Sequence, residues 1–346
     1  MISLATTIIN EKVRENIKNC LDEGRLANGR FVKEFEDKVT RYVGMKHAIS
    51  TCNGSMANIV ALAALYEKYP TKREVIVPAL TFIAHPQAIV INGLKPIFVD
   101  IDRNFQIDTE LVEEKINEDT LAIMPAHLLG KKCGIDALIE LGVGIIEDCC
   151  EAFGITPRGD FGTYSFYPSH TISTGEGGMI VTNDDELAEL AKQIRNHGRK
   201  GNTILDKFHF DIFGFNGKMS NLIAAVGDAV IDEADRVIKK RIENVAKLNA
   251  ITGNKWEAES PHCYPVMYGS EKERDEKLIE LESEGIEARK LFSSLPTQEK
   301  VYSHLGYKLG DFPIAEEVGR SGLFVPIHQD LNDKDIRKIG SCLGRL

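Results

Sequence analysis

A histidine lies on a turn between two short predicted strands in the middle of the chain. Apart from Ser165, residues 163–167 are β-branched or aromatic and Pro168 ends this run, while three glycines precede a second apolar run at 179–182. The pattern predicts strand, turn, strand, with His170 on the turn. A neutral imidazole with a pKa near ~6.5 can move a proton at neutral pH. Acid–base chemistry is therefore one hypothesis for His170, and an ordinary turn residue is the other.

Two further stretches have residue types suited to ligand binding. The predicted strand Ile145-Ile-Glu-Asp148 ends in two carboxylates, and Glu151 follows three residues later. Asn53-Gly-Ser follows another short strand and starts a helix, whose free backbone N–H groups and partial positive charge bind phosphate well. Each stretch also has a common structural explanation, an acidic strand end and a helix N-cap respectively.

The segment around His170 resembles the signature of the sugar aminotransferase family (DegT/DnrJ/EryC1/StrS). The resemblance is carried by Ser165-Phe-Tyr-Pro-Ser-His170 and Thr174-Gly-Glu-Gly-Gly178. These fold type I enzymes use pyridoxal phosphate on nucleotide-linked keto sugars, and most of them have a lysine at the position of His170 that forms a Schiff base with the cofactor. A smaller branch, the nucleotide-linked 4-keto-6-deoxyhexose 3-dehydratases, has histidine there. The resemblance implies C3 dehydration by this chain, and the alternatives are an aminotransferase of the same family and a non-catalytic or sensory homologue that binds pyridoxal phosphate.

The resemblance also implies a role for individual residues. Catalysis would fall to His170 and to Asp148, which would hold a proton on the pyridine nitrogen of the cofactor. Phe82 would stack on the ring, and Asn216 would reach the cofactor phosphate of a neighbouring subunit. The complete set implied to bind the cofactor is Gly54, Ser55, Met56, Phe82, Asp148, Glu151, Ser165 and Asn216.

The expected ligands follow from the same resemblance. The cofactor would alternate between pyridoxal 5'-phosphate and pyridoxamine 5'-phosphate, the substrate would be a nucleotide sugar, and an amino donor such as glutamate would restore the pyridoxamine form. The chain would be a homodimer with shared active sites. No metal is expected, because one dehydratase subtype holds an iron–sulfur cluster on a cysteine set that is missing here, where only Cys263 and Cys342 follow Cys150.

Net charge, hydropathy and cysteine spacing argue against several classes of protein. A net charge of −10 over 346 residues would repel nucleic acid and anionic membranes. No window approaches the ~18 consecutive apolar residues of a membrane helix, and no signal peptide is recognisable at the start. Seven irregularly spaced cysteines are typical of reduced thiols in a cytosolic enzyme. We therefore expect a cytoplasmic protein.

The order of the predicted elements defines the expected fold. Short, wholly apolar strands alternate with helices up to about residue 150, which predicts a mostly parallel sheet covered by helices on both faces. A long helical pattern follows at 220–248, and beyond it a strand, a charged helix and a tail with many Pro and Gly residues. The prediction is a fold type I α/β enzyme with a large cofactor-binding domain, 1–240, and a smaller C-terminal α+β domain, 241–346.

Overall fold

The computed structural model describes residues 1–201, 208–292 and 294–346. Apolar residues at helical or alternating spacing, with side-chain caps such as Asn10, Asn53 and Asp184, account for where most elements start. The helices are α1 (Glu11–Asp22), α2 (Arg30–Val43), α3 (Gly54–Lys68), α4 (Ala84–Ile91), α5 (Thr109–Lys115), α6 (Ile135–Ile139), α7 (Asp185–Arg195), α8 (Asn221–Val230), α9 (Ala234–Thr252), α10 (Glu271–Ser283), α11 (Pro313–Ser321) and α12 (Asp333–Leu343). The strands are β1 (His47–Thr51), β2 (Glu74–Pro78), β3 (Lys95–Val99), β4 (Thr120–Ile123), β5 (Gly144–Asp148), β6 (Phe161–Ser165), β7 (Gly178–Thr182), β8 (Tyr264–Met267), β9 (Arg289–Lys290) and β10 (Gly322–Val325).

Seven strands form one sheet in the order β1-β7-β6-β5-β4-β2-β3. The pairs from β3 through β6 are parallel, and β7 alone runs antiparallel, to both β6 and β1. β4 and β6 are buried along their whole length. This is expected of strands that are covered on both faces of the sheet. The predicted mostly parallel sheet is confirmed, and β6 and β7 form the predicted strand, turn, strand around His170.

The first part of the sheet is covered by α3, an almost wholly buried helix that packs on β6, β7 and α7. Its apolar residues face all round rather than along one stripe, which is typical of a helix in the interior of an α/β protein. On the other side, α1 and α2 pack against α8, with Phe35 of α2 in contact with Phe166 just beyond β6. Helices therefore hold the end of β6, and with it the turn that has His170, from two sides.

The three remaining strands form a second, antiparallel sheet in the order β8-β10-β9. The 19-residue helix α9 leads to it and packs on α12. The single helical pattern expected at 220–248 is in fact α8 and α9 joined by one 3-10 turn, Ile231–Glu233. The expected domain division at 240/241 falls inside α9 and stays a prediction.

One strand boundary near the site differs from the expected one. β5 ends at Asp148 as expected, whereas β6 ends at Ser165 rather than at Tyr167. Both functional side chains are thus the last residues of neighbouring parallel strands. This places them at the carboxyl edge of the sheet, where ligands bind in open α/β folds.

Candidate active site

The candidate site lies at the carboxyl ends of β2, β5 and β6, beside the N-terminus of α3. Asp148 ends β5, Ser165 ends β6, and Phe82 follows the end of β2 by four residues. His170 lies on the turn after β6 with about the same depth of burial as Asp148. The fold therefore brings together side chains that the sequence singled out from several separate segments.

Asp148 is held as a carboxylate by its surroundings. Burial acts to raise its pKa, but nearby His85, the backbone N–H of Cys150 and the Asn58 amide lower it below the usual value overall. Asn58 Nδ2 donates to Oδ2 over 2.9 Å, and Cys150 N donates to Oδ1 over 2.9 Å. Burial also lowers the pKa of His85, so that ring is neutral at neutral pH. The negative charge of Asp148 is then stabilised by the two hydrogen bonds from Asn58 and Cys150 and not by a charge on His85.

The N-terminus of α3 lies against the end of β6. A Cβ atom added to Gly54 would lie 2.6 Å from Cβ of Ser165 and 3.0 Å from Sγ of Cys150, so only glycine allows this approach. Asn53 caps the helix, its Oδ1 accepting from Met56 N over 2.8 Å. The Met56 N–H is therefore already used by the cap, which leaves the first turn at Gly54 and Ser55, with Ser165 opposite, as the anion-binding part.

The turn that has His170 is anchored by a buried arginine from α9. Arg241 is only 2% exposed, and its Nη2 donates to the backbone oxygen of His170 over 2.9 Å. The His170 Nδ1 atom is buried and has no hydrogen-bond partner in the described ranges. Burial lowers the pKa of His170 to about 4, with the nearby Arg241 charge acting in the same direction. At neutral pH His170 is an uncharged imidazole, the form that accepts a proton.

Glu151 lies in the turn after β5, three residues beyond Asp148, and faces a second histidine. Its Oε2 accepts from Leu129 N over 2.7 Å, and its Oε1 lies 3.3 Å from Nδ1 of His262, which comes from the segment before β8. Burial raises the pKa of Glu151 to about 7, and the Asp148 charge adds to this. The His262 and His170 rings pack edge to face with centroids 5.4 Å apart.

Two predicted residues lie on the open side of the site. Phe82 is 64% exposed, an unusual position for a phenylalanine and one suited to stacking on a bound ring. Asn216 is exposed, and its Oδ1 accepts from Lys218 Nζ over 2.7 Å. The structure brings Asn216 into no contact with His170, Asp148 or Ser165 among the described residues, so its expected role in a neighbouring subunit stays a prediction.

Sequence reasoning missed four residues of this cluster. Asn58 and His85 are buried polar residues near Asp148; Asn58 lies in the second turn of α3, and His85 is the second residue of α4, three residues after Phe82. Their closeness in sequence to predicted ligand-binding residues was a usable signal. Arg241 and His262 lie far along the chain, and no local pattern points to them.

Comparison with known proteins identifies the family. Residues 7–344 match the DegT/DnrJ/EryC1/StrS aminotransferase family. The chain belongs to this family. A GDP-perosamine synthase of Caulobacter vibrioides is 35% identical, with 100% of this chain and 98% of that protein covered. Among solved structures, this chain is similar to an E. coli GDP-4-keto-6-deoxy-D-mannose-3-dehydratase with bound hydrated pyridoxal phosphate. The two are 27% identical with a TM-score of 0.91, and the match covers 99% of this chain and 100% of that one.

The family match confirms the predicted fold type I α/β enzyme and its dependence on pyridoxal phosphate. Names among the relatives favour an aminotransferase over the expected dehydratase, since a second GDP-perosamine synthase, from E. coli O157:H7, is 33% identical over 94% of this chain. The dehydratase structures nevertheless match along the entire fold. The comparisons therefore establish a sugar enzyme of this family and leave the reaction to be proposed.

The residues present fit the cofactor. A phosphate group suits the first backbone N–H groups of α3, at Gly54 and Ser55 beside Ser165, a protonated pyridine nitrogen suits the Asp148 carboxylate, and an aromatic ring suits exposed Phe82. Within 1–201, 208–292 and 294–346, no three acidic, histidine or cysteine side chains cluster as metal ligands. Over the same ranges, no helix is both long and apolar enough to span a bilayer.

Proposed function

We propose that this enzyme removes the C3 hydroxyl group of a nucleotide-linked 4-keto-6-deoxyhexose. One observation supports the proposal: in the segment that resembles the family signature, a histidine, His170, stands where the resemblance puts the Schiff-base lysine of the aminotransferases. An imidazole cannot form that bond, but it can accept a proton. In the described part of the chain, no hydrogen bond or ion pair joins a lysine to His170, Asp148 or Glu151, so no substitute amine is apparent.

The protein residues have separable tasks. When bound, the pyridoxamine form of the cofactor supplies an amine for the C4 ketone and a ring that accepts electrons. Asp148, with its lowered pKa, keeps the ring nitrogen protonated. His170 is neutral at neutral pH and removes a proton next to the ring, and the protonated imidazole can return that proton to the departing hydroxyl group.

The remaining partners are proposed from the family and from the relatives. Their names contain GDP-linked sugars, so we propose a GDP-linked 4-keto-6-deoxymannose as substrate and glutamate as amino donor. We also propose a homodimer, because Asn216 is exposed and makes no hydrogen bond to His170, Asp148 or Ser165 among the described residues. The negative net charge makes nucleic acid an unsuitable partner. A cytoplasmic location remains a prediction.

An aminotransferase is the second candidate, favoured by the names of relatives that are up to 35% identical over the whole chain. It would have to transfer the amine without a lysine at 170. A structure of a histidine-to-asparagine variant of GDP-4-keto-6-deoxymannose-3-dehydratase with bound GDP-perosamine, 26% identical with a TM-score of 0.91, shows that such a site can hold the aminated sugar. Binding the amino sugar therefore does not distinguish the two candidates, whereas product analysis does.

The test is mass spectrometry of the products. The purified enzyme is incubated with pyridoxal phosphate, glutamate and a panel of nucleotide-linked 4-keto-6-deoxy sugars. Loss of one oxygen from the sugar together with release of ammonia is the expected result. Replacement of the ketone by an amine would reject the dehydratase in favour of the aminotransferase. No change with any sugar, despite cofactor binding, would favour the non-catalytic homologue.

A further inference from the structure

We propose that His262 and Glu151 form a second acid–base pair of this site and hold one proton between them. The proposal extends the proposed function, since it adds a proton carrier beside His170. It also joins the two sheets of the protein, because Glu151 follows β5 and His262 precedes β8. His262 is therefore a residue that the C-terminal part of the chain contributes to chemistry at the edge of the large sheet.

The two side chains lie within ion-pair distance of each other. Nδ1 of His262 lies 3.3 Å from Oε1 of Glu151, and the side chains are 9% and 21% exposed. Nδ1 is buried and makes no aligned hydrogen bond within the described residues. Burial lowers the pKa of His262 well below its usual value, and His170 and Arg241 act in the same direction. The contact is thus between a neutral ring and a carboxyl group, not an ion pair.

The second oxygen of Glu151 determines where its proton lies. Oε2 accepts from the backbone N–H of Leu129 over 2.7 Å. A proton on the carboxyl group is then best placed on Oε1, which faces His262. Since the pKa of Glu151 is raised to about 7, the group is about half protonated at neutral pH.

Ionisation of Glu151 should therefore change the tautomer of His262. Above pH 7 the carboxylate can accept from Nδ1–H of the ring. Below pH 7 the protonated carboxyl group donates to Nδ1, and the ring proton moves to Nε2. When Nδ1 accepts a hydrogen bond from Glu151, Nε2 has a proton to donate on the opposite side of the ring. The ring can therefore relay a proton without becoming charged.

The backbone of His262 is fixed on both sides. Its N–H donates to Leu129 O over 3.1 Å, and its carbonyl accepts from Arg241 Nη1 over 3.0 Å. The same guanidinium donates to the carbonyl of His170. Leu129, which also binds Glu151, has a left-handed backbone with φ of 59°. One strained loop and one buried arginine thus position all three side chains, as a preorganised site requires.

The surrounding charges are few, which makes the pair testable by pH. His170 faces His262 from the turn, Asp148 acts on Glu151 from β5, and Arg241 approaches from α9. Cys263 lies beside them, and burial raises the pKa of its thiol well above the usual value, so it stays protonated. Between pH 6 and 8.5 the one group of this set expected to titrate is therefore Glu151.

The experiment is ¹⁵N NMR of histidine-labelled enzyme with bound pyridoxamine phosphate, between pH 6 and 8.5. The chain has nine histidines, and His262→Phe identifies the signal of residue 262. We expect the ¹⁵N chemical shifts of His262 to show the ring proton on Nδ1 at high pH and on Nε2 at low pH, with a midpoint near pH 7. Glu151→Gln should abolish this change. The same phenylalanine substitution at exposed His304 is the matched control and should leave the switch intact.

A His262 tautomer that stays constant over this range in the wild type, or a switch that persists in Glu151→Gln, would overturn the proposal. The result is independent of the reaction catalysed. If the His262 tautomer changes and the product is an amino sugar, the His262–Glu151 pair is supported and the dehydratase is rejected. If the tautomer stays constant and the sugar is deoxygenated, the dehydratase is supported and the pair is rejected. Under both proposals, His262→Phe should lower kcat about 100-fold, the usual effect of a lost proton carrier, whereas His304→Phe should not.

Discussion

Acidification should destabilise the protein measurably through His170. Burial lowers the pKa of this imidazole from 6.5 to about 4, so the unfolded chain binds the proton more readily than the folded one. The stabilising contribution is complete above pH 6.5 and is lost as the pH falls towards 4. At pH 5 the linkage relation gives a loss of about 2 kcal/mol, and partial exposure of the ring reduces this to roughly 1–2 kcal/mol.

The assay is urea unfolding of cofactor-free protein at pH 7.5 and pH 5, followed by circular dichroism. His170→Gln removes the titrating ring, so its free energy of unfolding should fall less than that of the wild type by about 1–2 kcal/mol. His304→Gln, at an exposed position, is the control and should behave as the wild type. Equal losses in the wild type and in His170→Gln would refute the burial argument, and with it the neutral base at residue 170.

Three further predictions concern the cofactor contacts. His170→Lys should form a Schiff base with pyridoxal phosphate, seen as a new visible absorbance band; bound cofactor without the band would place residue 170 elsewhere. Asp148→Asn should lower kcat about 100-fold or more while far-UV circular dichroism stays unchanged, because only the electrostatic partner of the ring is lost; near-normal kcat would remove Asp148 from the mechanism. Gly54→Ala places Cβ 2.6 Å from Ser165 Cβ, so thermal unfolding should show about 1–3 kcal/mol less stability and fluorescence titration weaker cofactor binding; wild-type values for both would contradict the close approach.

Local patterns predicted the part of the site that lies within short sequence distance of the strands. An apolar strand that ends in a carboxylate and a glycine-containing helix start are both readable, because strand ends and helix N-termini face the same edge of a parallel sheet. Asp148, Ser165 and Gly54 meet at that edge as expected. The end of β6 was expected two residues too late, since aromatic residues continue past the last ladder hydrogen bond.

The other part of the site depends on contacts between distant segments. Arg241 reaches His170 over 71 residues of sequence, and Glu151 meets His262 over more than 100. A buried guanidinium with carbonyl acceptors and no carboxylate partner among the described residues breaks the usual rule for buried charges, so neither composition nor periodicity could indicate it. The break between α8 and α9 at Ile231–Glu233 was equally invisible, because no Gly or Pro marks it.

The disagreement between the relatives' names and His170 has a physical basis. The chain is 35% identical to a GDP-perosamine synthase and also matches a solved dehydratase over nearly its whole length, so overall similarity indicates the fold and not the reaction. Under the proposed function, the reaction depends on whether an amine or an imidazole stands at one position of the turn after β6. A lysine there could capture the cofactor, whereas the uncharged ring of His170 can move protons. Arg241 holds the backbone of His170, and the ring of His262 packs against the ring of His170, which supports a working base at residue 170 rather than the remnant of a lost lysine.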